Sequence, residues 1–300
     1  LMIISFGNIK GGVGKTTTTA VLAHLLTNST YDKKILCIDF SPQGDLSSIL
    51  LNTYEYTGDE SHTISDVLFN DIEVDDAIQV LTDNLHLIPG DWELVNFNKN
   101  AITSYNKDYQ KSLLKSVLNS VESVYDFILI DTSTDMGLIL DNALTASDGV
   151  IINSKPSYLE LVSTIKYAKF LNEKTLSAGY HFKILGTLFT HDNNKSSEVV
   201  NENILQHAND LLPFSSSIYE DSEIRGMKSL NEVNNFEDYE RLLIELNSNL
   251  NINKNPNKEY TFSLSPRTYK MLEKMTKHNG YEDISEFLDI WIQAFNIEKF

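Results

Sequence analysis

The sequence predicts an α/β fold: a parallel sheet with helices on both faces, followed by a small C-terminal β-α-α module. Three observations carry that prediction. Six short apolar runs are each bounded by turn or polar residues, as strands buried on both faces of a parallel sheet should be. Helix-length amphipathic stretches alternate with these runs, which implies βαβ units. Beyond a polar stretch at 251–258 the pattern changes to one alternating run and two amphipathic segments.

The strand candidates, in order, are 3–8, 34–39, 85–89, 127–131, 149–153 and 184–189. Helical patterns lie between them at 16–26, 109–124 and 159–173. Together they make one domain over residues 1–250. Residues 251–258 read Asn-Ile-Asn-Lys-Asn-Pro-Asn-Lys, which buries nothing and suits a linker. The module at 259–300 opens with a period-two run from Tyr260 to Leu264. Ser265-Pro266 then caps a first helix, Asn279-Gly280 ends it, and Ser285 caps a second.

Composition bounds the function. The chain has 300 residues, 41% of them hydrophobic, with 24 basic and 42 acidic side chains and a net charge of -18. That excess opposes a surface coated in positive charge and leaves DNA contact to a local patch. The last fifty residues hold seven charges of each sign, so the acidic excess belongs to the first domain. The single cysteine, Cys37, lies inside an apolar run and reads as a buried strand thiol. One cysteine allows neither a disulfide framework nor a cysteine metal cluster within the chain. The histidines show no ligand spacing, and His24 reads as a packed surface residue. Trp92 and Trp291 read as core or interface anchors. No apolar run approaches the roughly 18 residues a membrane helix needs. No secretion signal is seen, so a cytoplasmic location is expected.

The strongest motif is Lys10-Gly11-Gly12-Val13-Gly14-Lys15-Thr16-Thr17. It follows a strand and opens a helix, the context a phosphate-binding loop requires. Its glycines let successive backbone N–H groups converge on phosphate oxygens, and the new helix adds its positive end. Lys15 then reaches the β- and γ-phosphates, the Thr16 hydroxyl ligates Mg²⁺, and Thr17 meets the α-phosphate. The predicted cofactors are ATP/ADP and Mg²⁺.

The second lysine at the front of the loop, Lys10, marks the deviant Walker A group of P-loop NTPases. The chain resembles a ParA-type partition ATPase of the ParA/MinD superfamily over about 1–250. Asp39-Phe40-Ser41-Pro42-Gln43-Gly44 is similar to that family's second box, usually Asp-x-Asp-Pro-Gln-Gly. Tyr125 to Asp131 resembles the Walker B strand, and Leu185 through Thr190 the strand leading to the adenine pocket. The resemblance implies a homodimer that sandwiches two ATP molecules, with Lys10 donated to the partner's nucleotide. It implies catalysis by Lys10, Lys15 and Asp39, with Asp131 holding Mg²⁺ through water and Asp39 a further candidate for the metal. Hydrolysis on such a site is positioning plus charge neutralisation.

Two departures bear on turnover. Ser41 replaces the box's second aspartate, and a neutral hydroxyl cannot supply the charge that orients the attacking water. Ser133-Thr134 replaces the Pro-Pro pair usual after the Walker B aspartate, leaving that segment less rigid. A weak ATPase is therefore expected, with Asp135 or Asp45 as substitute carboxylates.

The resemblance also implies DNA binding, nucleoid association when DNA-bound, and a small centromere-binding adaptor as partner. Arg225 and Lys228 fall in the region that contacts DNA in such dimers. The module at 259–300 resembles a ribbon-helix-helix domain, which pairs two chains through their strands. There Thr261 and Ser263 would face the groove, with Lys258 and Arg267 on the backbone; the other reading is a dimerisation or capping module with no DNA role. An ATP-liganded transcriptional repressor with little turnover is the alternative. A MinD-like membrane switch is disfavoured by the acidic terminal helix, with Glu282, Asp283, Glu286, Asp289 and Glu298.

Overall fold

A computed structural model of the chain describes residues 1–58, 62–192, 211–220, 224 and 226–250. Contacts divide the chain into two compact units, Leu1–Asn255 and Pro256–Phe300. The predicted linker and the β-α-α module lie outside the described residues. So do Arg225, Lys258, Thr261, Ser263 and Arg267.

The described strands are β1 (Met2–Gly7), β2 (Ile35–Phe40), β3 (Gln79–Val80), β4 (Leu85–Ile88), β5 (Phe127–Thr132), β6 (Gly149–Ser154), β7 (Lys183–Asp192) and β8 (Ile218–Glu220). They form one sheet in the order β3-β4-β2-β5-β1-β6-β7-β8. Every pairing is parallel except β3 with β4. Side chains alternate across the sheet. Ile35 and Cys37 join one core, while Leu36 and Ile38 join the other. Burial on both faces explains why each central strand is an unbroken apolar run.

The described helices are α1 (Lys15–Thr27), α2 (Asp45–Thr53), α3 (Ile64–Phe69), α4 (Val74–Ala77), α5 (Phe97–Ser104), α6 (Leu113–Leu118), α7 (Leu138–Ala146), α8 (Tyr158–Thr175) and α9 (Glu237–Leu250). On one face α1 and α2 pack with α9 against Ile4, Cys37 and Leu129. On the other, α3, α5, α6 and α7 cover Leu36, Ile38 and Ile130.

The helix expected over 109–124 is shorter than predicted. The structure has α6 and a separate 3₁₀ turn at Glu122–Val124. Local polar groups compete for the backbone on the N-terminal side. The Asn106 side chain accepts from Tyr109 N at 3.0 Å, and the Ser112 hydroxyl donates to Tyr109 O at 3.1 Å. Strands β3 and β8, only two and three residues long, are too short to show a period in sequence.

Parallel pairing brings the C-terminal ends of β1, β2, β5 and β6 to one edge, where α/β sheets place their ligands. Asp39 on β2 sits beside Asp131 on β5, and Asp131 beside Phe6 on β1.

Candidate nucleotide site

The loop between β1 and α1 turns on glycines. Gly12 (φ +70°) and Gly14 (φ +90°) adopt the left-handed backbone that disfavours side chains. Helix α1 starts immediately at Lys15 with no acidic residue in its first turn. Its positive end is therefore left for an external anion.

Two asparagines hold the loop. Asn8 accepts from Lys10 N at 3.1 Å and donates to Asn153 O at 2.7 Å and to Thr164 Oγ1 at 2.9 Å. Asn153 in turn donates to Thr18 Oγ1 at 2.9 Å. The loop is thus tied to β6 and α8, which limits the reorganisation needed to meet phosphate.

Lys15 is buried, and its ammonium donates to Lys10 O at 3.1 Å. Burial lowers its pKa, opposed by the charge of Asp131. Lys10, by contrast, is exposed. The Thr16 hydroxyl donates to Asp131 Oδ2 at 2.7 Å. Asp131 is almost wholly buried, and its Oδ1 has no hydrogen-bond partner. Burial, then the charge of Asp39, pushes its carboxyl up to about 8.

This donor set fits Mg²⁺. A threonine hydroxyl and a buried carboxylate with an unpartnered oxygen are hard oxygen ligands. Among the described residues, no three His, Cys, Asp or Glu side chains gather as a complete metal cage. A partial set suits Mg²⁺, which keeps waters and takes phosphate oxygens as its other ligands.

Asp39, expected as a catalytic group and a further candidate for the metal, lies beside Asp131 near the end of β2. It is fully buried, and its Oδ2 accepts from Ser47 N at 2.9 Å and Ser47 Oγ at 2.7 Å. Those contacts anchor the start of α2. Its Oδ1 is unpartnered, and burial pushes the carboxyl up to about 6.

The loop faces a cavity of about 420 Å³. Gly11, Gly12, Gly14, Lys15, Thr16 and Thr17 form one wall, so the predicted phosphate-binding residues are brought together. Lys10 and Val13 are not on that wall: Lys10 is exposed at the front of the loop, and the Val13 side chain is buried. Ser41, Gln43 and Asp45 form a second wall, and Thr132 to Asp135 a third. A neighbouring cavity of about 380 Å³ shares Thr16, Thr17 and Asp45. Exposed Lys228, expected to touch DNA, lines that second cavity with Asn52 and Met227.

Trp92 does not belong to the core, one of the two places its sequence suggests. It is 70% exposed at the mouth of the first cavity, beside Val95. Its placement makes it a reporter. In a Trp291→Phe background, adding Mg-ATP should shift the emission of Trp92, and Trp92→Phe should abolish the shift. Emission that ignores nucleotide would separate Trp92 from the ligand.

Sequence reasoning missed Asn8, Asn153, Ser47 and Gly90. The last donates from its backbone to Ser47 Oγ at 3.1 Å. Only Pro89-Gly90, as a turn pair, gave any signal.

A family model described as an AAA domain matches residues 1–184. The sporulation initiation inhibitor protein Soj of Bacillus subtilis is 32% identical over 208 residues, covering 67% of this chain and 78% of Soj. The chromosome partitioning protein ParA of Myxococcus xanthus is 31% identical, covering 67% of this chain and 69% of that protein. The chain belongs to the ParA family. Among solved structures, a plasmid partition protein of Borrelia burgdorferi bound to AMPPNP superposes with a TM-score of 0.68. It is 26% identical and covers 83% of this chain and 99% of its own. The nucleotide loop and the Walker B strand both lie within residues 1–184, the span of the family-model match.

Proposed function

We propose that this ParA-family chain is an ATP-driven partition ATPase that works on a plasmid or chromosome. It binds Mg-ATP, forms a sandwich dimer, binds DNA in that state and hydrolyses ATP slowly. The observation that carries the reading is the contrast between the two lysines of one loop. Lys15 is buried against the cavity and serves the chain's own phosphates. Lys10 is exposed at the loop's front, where a second copy's nucleotide can meet it.

Within one protomer, the loop N–H groups and Lys15 bind and orient the phosphates. Thr16 and, through water, Asp131 would hold Mg²⁺, which would neutralise phosphate charge when bound. Ser41, 8% exposed on the cavity wall, presents a neutral oxygen where the family's box has a carboxylate. Slow turnover follows. A small centromere-binding adaptor completes the proposed partners; the tails of 259–300 pair within the same ATP-dependent dimer, with nucleoid association in the DNA-bound state.

The test is Lys10→Ala, followed by light scattering with Mg-ATP. Wild-type protein should double its mass with nucleotide. The variant should stay monomeric while its ATP affinity changes by no more than about threefold, because an exposed group adds little locally. A wild-type chain that remains monomeric with saturating Mg-ATP would refute the sandwich. Ser41 also favours a second reading, an ATP-liganded repressor. Operator binding that requires ATP, with no phosphate released, would select it.

A further inference from the structure

Ser41 leaves the cavity short of a carboxylate at the place where the family's box has one. Its Oγ also accepts, at 3.4 Å, from Gln43 N in its own turn. Four aspartates surround the loop, and their contacts separate them. Asp39 is buried against Ser47, and Asp131 is buried against Thr16. Asp45 occupies the first turn of α2, where its charge complements the helix end.

Asp135 has no such structural duty, since α7 begins later, at Leu138, and carries its own first-turn acid, Asp141. It is exposed, and it lines the same cavity as Lys15, Thr16 and Ser41. Its carboxylate is also aimed. Ser133 Oγ donates to Asp135 Oδ2 at 3.3 Å, and Asp135 N donates to Ser133 Oγ at 3.2 Å. Both ends of the segment are fixed. Thr132 Oγ1 donates to Phe6 O at 2.6 Å upstream, and Leu138 N to Asn98 Oδ1 at 3.0 Å downstream.

We propose that Asp135 supplies the carboxylate that Ser41 lacks and is the group that orients and deprotonates the attacking water. The proposal rests on the ATPase reading above. A lone pair of the water oxygen forms the new bond to the γ-phosphorus. The bond from that phosphorus to the bridging oxygen breaks, leaving its electron pair on ADP. The proton lost by water passes to the Asp135 carboxylate and then to solvent, and inorganic phosphate is the other product. Ser133, which with Thr134 stands in place of the family's Pro-Pro pair, then positions Asp135 as a local replacement for the missing acid.

The experiment measures phosphate release and fluorescent-ATP binding on the full chain. Asp135→Asn should lower kcat by about tenfold or more, the lower end of what a positioned base contributes. KM and nucleotide affinity should stay within about threefold of wild type. Asp135→Glu should retain part of the rate. Ser41→Asp should restore turnover to the Asp135→Asn protein, which a merely structural role for Asp135 would not allow. Unchanged kcat in a well-folded Asp135→Asn variant overturns the proposal. Loss of turnover in Asp45→Asn but not in Asp135→Asn also overturns it, in favour of Asp45. A wild-type chain that binds no ATP overturns the ATPase reading and the proposal with it.

Discussion

Replacing Lys15 by Ala should weaken ATP binding by roughly two to three orders of magnitude. The side chain is only 8% exposed, and burial has already stripped water from its ammonium. A phosphate entering the cavity therefore meets a charge with little hydration left to lose. Truncating one partner of such a desolvated pair costs about 2–5 kcal/mol, and each 1.4 kcal/mol is a factor of about ten. The loss should appear in affinity as well as rate, because Lys15 acts on the ground state of the bound nucleotide. Calorimetric titration with a slowly hydrolysed analogue measures it. Lys15→Ala that binds the analogue within about threefold of wild type would remove the lysine from the phosphate site.

The nucleotide loop was legible because its chemistry is local. Lys10 to Thr17 are consecutive, and strand, glycines, lysine and helix start fall in order along the chain. The central strands were legible because burial on both faces leaves continuous apolar runs such as Ile35 to Ile38. What escaped is tertiary. Asn8 meets Asn153 O across 145 residues of sequence, and no periodicity marks either residue as a brace for the loop. The helix over 109–124 failed because apolar spacing was weighed there and the side-chain bonds of Asn106 and Ser112 were not. For Trp92 the sequence left core and interface both open, because a large aromatic is usually buried; this one stands exposed at a cavity mouth, outside the core. Asp39 shows the limit of a motif: position in the box is readable, but the grip of Ser47 on its carboxylate is a property of the folded α2.

Gly90→Ala should destabilise the fold by about 1–3 kcal/mol or more, the range for overfilling a close-packed site. Its backbone dihedral is not left-handed, so conformational strain contributes nothing and the cost is steric. A Cβ built there lies 2.6 Å from Asp39 O and 2.8 Å from Ser41 O. Both are backbone atoms, so no side-chain rotation relieves the clash. The end of β2 must move, and Gly90 N is also bonded to Ser47 Oγ, which donates to Asp39. The shift therefore carries Ser41 and the start of α2 away from the cavity, and ATP affinity should fall with stability. Gly11→Ala is the matched control for folding alone, since its Cβ meets nothing within 4 Å. Urea unfolding should give a lower midpoint for Gly90→Ala than for Gly11→Ala, and saturating Mg-ATP should raise the Gly90→Ala midpoint less than it raises the wild-type one. If Gly90→Ala unfolds at the wild-type midpoint, the contact between this turn and the end of β2 is not what holds the second wall of the cavity in place.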